Sequence, residues 1–290
     1  MTTKISVLGT GLMGAPMAHK LQAGPFTVTA YNRTVDKLEP LRAAGIATAS
    51  SPATAIQASD YTLLMLTNAD AIADLVLNPP EARAALEGRT LIQMGTIAPS
   101  ESRSLCEQVN AAGGQYLEAP VLGSIPQVKD GSLIVMVGAT PEQFQHCLPI
   151  FQCFGPEPLL MGPVGTAAAT KLAMNQLIGS LTNAFALSLR FVQQQGIDIE
   201  QFMGIVRQSA LYAPTFDKKL SRMLDGNYAN PNFPTKHLLK DMNLFVQEAQ
   251  FLGLDAALVE SVGKVAQRAI ERGLANEDYS ALFAAVDCAE

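Results

Sequence analysis

Short apolar runs alternate with longer mixed segments through the first half of this chain, and in the second half only the longer segments remain. The runs at 5–8, 26–31, 46–49, 61–66, 90–94, 115–119 and 133–138 read as buried strands. The stretches at 15–22, 35–44, 53–58, 69–76, 100–112 and 141–151 read as helices. Strand and helix taking turns in this way predict an α/β domain built on a doubly wound, mostly parallel sheet. From 162 to 195 a glycine-proline turn leads into a segment that is apolar on every face, which predicts one long buried helix starting near 165. Helices are expected at 199–210, 214–224, 236–252, 257–272 and 279–287, with no convincing strand among them. The chain therefore divides into an α/β domain over 1–162 and an all-α domain over 163–290, a size that suits two cores.

The glycines sharpen the first of these. Gly9, Thr10, Gly11, Leu12, Met13 and Gly14 lie between the first strand and the first helix, which is where a dinucleotide-binding turn belongs. Gly9 permits the tight turn, Gly11 clears the approach of a pyrophosphate, and Gly14 lets helix and strand pack closely. A glycine turn in an unrelated α/β domain is the plainer account of the same residues. After the second strand an acidic residue would accept from a ribose hydroxyl, but this chain has Asn32, Arg33 and Thr34. A guanidinium there pairs with a 2′-phosphate, so the expected cofactor is NADP(H) rather than NAD(H). In an open parallel sheet the ligand lies past the carboxyl ends of the strands, so Thr67, Asn68 and Thr96 face the cofactor. Thr96 also suits a helix cap ahead of Pro99.

Polar exceptions in the long helix carry the chemistry. Lys171 and Asn175 share one face, and a lysine in so oily a segment needs a partner, a shifted pKa or a wet cleft. A snorkelling lysine with its asparagine bonded to backbone is the plainer account of the same pair. Gly123 and Ser124 offer backbone N–H groups and a hydroxyl beyond a strand end, which suits a carboxylate as well as an ordinary turn. Thr235 suits a helix cap, and His237 a surface hydrogen-bonded pair with Asp241.

Charge and cysteines narrow the partners. A net charge of -6 with no basic block argues against nucleic acid. Cys106, Cys147, Cys153 and Cys288 lack metal spacing and read as free thiols of a cytoplasmic protein, and three scattered histidines make a metal improbable. The chain leads straight into its first strand, leaving no room for a signal peptide, and its long helix is too broken by polar residues to cross a membrane.

Four segments in order, GTGLMG (9–14), EAPVLGS (118–124), GPVGTAAATKLAMN (162–175) and FPTKHLLKD (233–241), resemble the β-hydroxyacid dehydrogenases across essentially the whole chain. The NRT at 32–34 and the FPTKHLLKD segment are most similar to the NADPH-dependent glyoxylate and succinic semialdehyde reductases. The resemblance implies a 6-phosphogluconate dehydrogenase-like architecture with the active site between a Rossmann and a helical domain. It implies Lys171 as catalytic lysine with Asn175 as its partner. By the same resemblance Val121, Leu122, Gly123, Ser124, Phe233 and Asp241 meet the substrate, Thr96 reaches the cofactor, and Lys240 reaches the cofactor or substrate. The reaction implied is reduction of a small carboxylate-bearing aldehyde to its hydroxyacid. A 3-hydroxyisobutyrate or tartronate semialdehyde type of dehydrogenase, an imine reductase and a non-catalytic NADP-binding protein are the alternatives. Leu122 stands where the family commonly has serine, which bears on the substrate rather than on the reaction class. An apolar helical spine suggests a homo-oligomer, a dimer or tetramer.

Overall fold

The computed structural model describes residues 2–287, so Cys288 lies outside the described residues. Two compact units divide between Lys171 and Leu172.

The first unit is built on one sheet. Strands β1 (Thr3–Leu8), β2 (Phe26–Tyr31), β3 (Ala47–Thr48), β4 (Tyr61–Leu64), β5 (Thr90–Gln93) and β6 (Gln115–Glu118) run parallel in the order β3-β2-β1-β4-β5-β6. Successive side chains serve opposite layers. Val7, Leu63, Ile92 and Leu117 enter one core with Phe151 and Phe154, while Leu8, Leu64, Leu91 and Tyr116 enter the other with Ile56 and Leu105. Burial on both faces is why the central strands β4 and β5 are apolar without alternation, whereas β2, FTVTAY, alternates buried and more exposed positions.

Beyond β6 the pattern changes, and here the sequence left elements unread. β7 (Val121–Leu122) and β8 (Ile134–Gly138) pair antiparallel, and β9 (Leu159–Gly162) lies parallel to β8. Two-residue β7 is too short for periodicity to register, and the residues of β9 stay largely exposed although apolar. The helices Pro80–Ala84 and Ile125–Asp130 were also unforeseen. The segment expected as one helix over 35–44 is a 3-10 turn, Val35–Leu38, followed by the helix Glu39–Ala43. That over 69–76 is a helical turn, Ala69–Ile72, passing into a π-helical one, Ala73–Leu77.

A single helix, Thr166–Gln194, runs from the end of the first unit through the second. It is followed by Ile199–Gln208, Pro214–Asp225, Thr235–Phe251, Ala257–Ala269 and the 3-10 segment Tyr279–Ala285. The expected helix over 257–272 is the α-helix Ala257–Ala269 passing directly into the π-helical turn Ile270–Leu274, and the chain turns out of helical geometry at Gly273, φ 85°. Among the described residues the second unit has no strand beyond an isolated bridge between Pro234 and Asp278. Its long helix is not buried all round, which corrects the expectation. Ile178, Phe185, Ala186 and Leu189 form one inward stripe, whereas Leu187 and Phe191, at 56% and 61% exposure, lie off it. The later helices cover one side of it, so its apolar content exceeds what this chain buries. No helix among the described residues is long and apolar enough to cross a membrane.

Candidate active site

The glycine turn is shaped by contacts that admit no side chain. Gly9 donates its N–H to Tyr31 O at 2.9 Å with φ +96°, and a Cβ on Gly14 would collide with the Gly9 carbonyl oxygen. Gly11 differs, since nothing lies within 4 Å of where its Cβ would be. That open space adjoins the helix Gly14–Gln22, whose start has no side-chain cap, and Thr10, whose buried hydroxyl lacks a partner among the described residues. A helix start without a side-chain cap, an unused hydroxyl and room for backbone approach together fit a pyrophosphate. Leu12 is exposed beside them, and Met13 holds the N-cap position.

Asn32 is a strut of this turn. Its Oδ1 accepts from Thr10 N at 3.1 Å and its Nδ2 donates to Thr34 O at 3.0 Å, which leaves Arg33 and Thr34 exposed at the rim. Asn68 caps the helix Ala69–Ile72, its Oδ1 accepting from Ala71 N at 3.0 Å, one residue after Thr67. Ala98, not Thr96, holds the N-cap position of the helix Pro99–Ala111, and its N–H donates to Glu101.

Two buried polar residues fix the neighbouring strand exits. Gln93 and Glu118 are the last residues of β5 and β6 and sit side by side in the register. Gln93 accepts from Gly95 N at 2.6 Å and donates to Gly95 O at 3.0 Å, so the chain leaves β5 in one direction, toward Thr96. Glu118, 1% exposed, accepts through Oε1 from the N–H groups of Gly165, Ala167 and Ala168 at 2.8, 2.9 and 3.1 Å. Its Oε2 accepts from Ser102 Oγ, which is 2.9 Å from Tyr116 OH. Burial pushes the Glu118 carboxyl above its ordinary range against the pull of these donors, Ser102 first. Lys171, half-buried, follows one turn after the capped N–H groups. Between these, Val121 is buried and Leu122 half-buried in β7. Gly123 turns at φ +134°, and Ser124 gives both its N–H and its hydroxyl to Gln127 Oε1, at 2.9 and 2.8 Å. An anion meeting Ser124 would have to displace that bond.

The second unit holds a different cluster. Asn175, 2% exposed, donates to Asp241 Oδ2 at 2.6 Å, and Lys240 Nζ lies 3.0 Å from Asp241 Oδ1. Asn175 bonds one oxygen of Asp241 and Lys240 stands at ion-pair distance from the other, which replaces the expected pair between His237 and Asp241. Burial, with Lys240 and Lys236 alongside, holds the half-buried His237 below its ordinary value. Thr235 does not cap. Pro234 takes that position and the Thr235 hydroxyl donates to Glu277 O at 3.0 Å. Phe233 packs edge-on against Tyr279, with ring centroids 5.6 Å apart.

Sequence reasoning passed over Gln93 and Glu118 as chemistry. The available signal was a polar residue closing an otherwise buried apolar strand twice, in TLIQ and QYLE.

A doubly wound parallel sheet with a glycine turn fit for a pyrophosphate, joined by one helix to an all-helical unit, defines a dinucleotide-dependent oxidoreductase of two units. Residues 4–162 match the NAD binding domain of 6-phosphogluconate dehydrogenase, and residues 165–286 the NAD-binding domain of NADP-dependent 3-hydroxyisobutyrate dehydrogenase. The chain belongs to the β-hydroxyacid dehydrogenase family, whose members are NAD(P)-dependent and act on CH–OH groups. It is 32% identical to glyoxylate/succinic semialdehyde reductase 1 of Arabidopsis thaliana, over 98% of both chains. It is 30% identical to the chloroplastic reductase 2 of that plant, over 100% of this chain and 81% of the relative. In fold it is similar to 3-hydroxyisobutyrate dehydrogenase of Mycobacterium tuberculosis. The TM-score there is 0.89 at 20% identity, covering 99% of this chain and 100% of that one.

Proposed function

We propose that this protein is a cytoplasmic NADPH-dependent reductase of small aldehydes that carry a carboxylate, with Lys171 as proton donor. One observation carries the proposal: Lys171 stands one turn past a helix start that a buried carboxylate holds, and one turn before Asn175, whose amide is committed to Asp241. A lysine merely filling space would need neither neighbour. The plant relatives, named for glyoxylate and succinic semialdehyde, support the substrate class.

When bound at the glycine turn, the cofactor supplies the hydride. Everything else falls to the chain. Oxygen gains negative charge as the carbonyl carbon is reduced, and an ammonium held beside it stabilises that charge and releases a proton to it. Asn175, fixed through its amide, orients the ammonium. The backbone at Gly123, which turns at φ +134°, is proposed to hold the substrate carboxylate. Arg33, exposed just beyond β2, is proposed to select the 2′-phosphate.

The test joins a variant to a substrate panel. Lys171→Ala is expected to bind NADPH as the parent does, by fluorescence titration, while kcat falls about 10²- to 10⁴-fold. Glyoxylate and succinic semialdehyde are expected to outpace aldehydes of equal size without a carboxylate. Parent-like turnover in the variant would remove Lys171 from the mechanism, and equal rates across the panel would remove the anion site.

A further inference from the structure

The geometry points to Glu118 as the positioning residue for Lys171, a side chain that sets where the proton donor stands without touching substrate. This rests on Lys171 being that donor.

A helix start leaves its first N–H groups without intrahelical partners, so whatever accepts from them fixes both the depth and the rotation of the helix. Here one oxygen of Glu118 accepts from three of them, on Gly165, Ala167 and Ala168. The other oxygen is tied by Ser102, on the helix Pro99–Ala111, and through Ser102 to Tyr116. The carboxylate therefore cannot swing without breaking bonds on two helices. Room for it is built in, since a Cβ on Gly138 would collide with it. Side chains of a helix lean toward its N-terminus, so Lys171 projects back over the clamped turn rather than away from it.

Glu118 also begins the 118–124 segment and lies beside Gln93, which directs the exit toward Thr96. One buried group thus ties the start of the loop assigned to substrate to the helix turn bearing the donor, beside the strand end assigned to the cofactor.

The test compares reach with charge. Glu118→Ala is expected to lower kcat about 10- to 100-fold, the size of effect that a displacement of about 1 Å produces. The Kd for NADPH should stay within about threefold and the KM for aldehyde should change little. Glu118→Gln keeps the acceptor and its reach, and kcat should return to within about fivefold of the parent. In a Lys171→Ala background Glu118→Ala should have no further effect on residual turnover, because no donor remains to misplace. Unchanged kcat in folded Glu118→Ala would overturn the assignment. So would an equal loss in the Lys171→Ala background, or a Gln variant as slow as the Ala one. Should Glu118→Ala fail to fold, Ser102→Ala decides. A kcat about threefold or more below the parent with unchanged KM supports positioning, and an unchanged kcat overturns it. If Lys171→Ala alone turns over like the parent, the donor assignment fails instead, so the two failures are told apart.

Discussion

The two units solve the same problem, holding polar groups in an apolar interior, by different means. In the first, Asn32, Gln93 and Glu118 each bond to main-chain groups, so that backbone is fixed and backbone in turn presents the site. In the second, side chain meets side chain across helices. Asn175 pairs with Asp241, 66 residues away, and Lys219 with Asp278, 59 away. The difference teaches where sequence carries chemistry. Backbone must be shaped by glycines and strand ends at fixed local spacing, whereas a pair between helices leaves no spacing to read.

The contrast predicts that the second unit is the more fragile to removal of one side chain. Asp278 is fully buried and accepts from Lys219 Nζ at 2.7 and 2.9 Å and from Ser280 N–H and hydroxyl at 3.1 and 2.7 Å. Asp278→Ala would leave a buried ammonium unpaired, at a cost of about 3–5 kcal/mol measured by urea unfolding. Burial already draws Lys219 below its ordinary value, so the folded amine binds protons less readily than the unfolded one. The loss should therefore shrink as pH rises and the amine goes neutral. A loss under 1 kcal/mol would mean that the pair adds little and that the two units do not differ as described.

In the first unit a rim side chain should change selectivity and leave the fold alone. Arg33→Ala removes a charge-assisted contact of about 1.5–3 kcal/mol, so kcat/KM with NADPH should fall about 10- to 100-fold. With NADH it should stay within about twofold, and the unfolding midpoint should not move. An equal fall with both cofactors would place Arg33 outside phosphate recognition.

The smallest expected effect is a pH slope. Burial lowers the pKa of His237 from 6.5, so the unfolded chain takes up its proton before the folded one does. Stability from this group is complete above 6.5 and is lost as pH falls through the lower folded value. His237→Gln should flatten the Tm profile between about pH 7 and 5. A steeper profile in the variant would show that another group sets the slope.

Much of the fold was legible because the central strands β1, β4 and β5 are buried on both faces and so appear as short apolar runs, while β2 alternates in FTVTAY. β7 and β9 were not, being too short or too exposed to register. Ser124 suited a carboxylate or an ordinary turn equally, and its spacing to Gln127, whose Oε1 accepts from it, was already present in the chain. The pairing of His237 with Asp241 was inferred from helical spacing and yielded to Asn175 and Lys240, because a buried carboxylate takes its strongest donors regardless of sequence distance.

Sequence by itself determined the glycine turn, the parallel sheet, the all-helical second half and the place of Lys171 near a helix start. Each of these follows from local rules of backbone sterics and apolar periodicity, which act within a few residues. Only the tertiary structure decided that Glu118 would hold the turn before that lysine, that Asn175 would be spent on Asp241, and that one side of the long helix would stay uncovered. Those outcomes depend on which surfaces the packed elements bring within about 3 Å of one another, the distance a hydrogen bond needs, and no local rule fixes that.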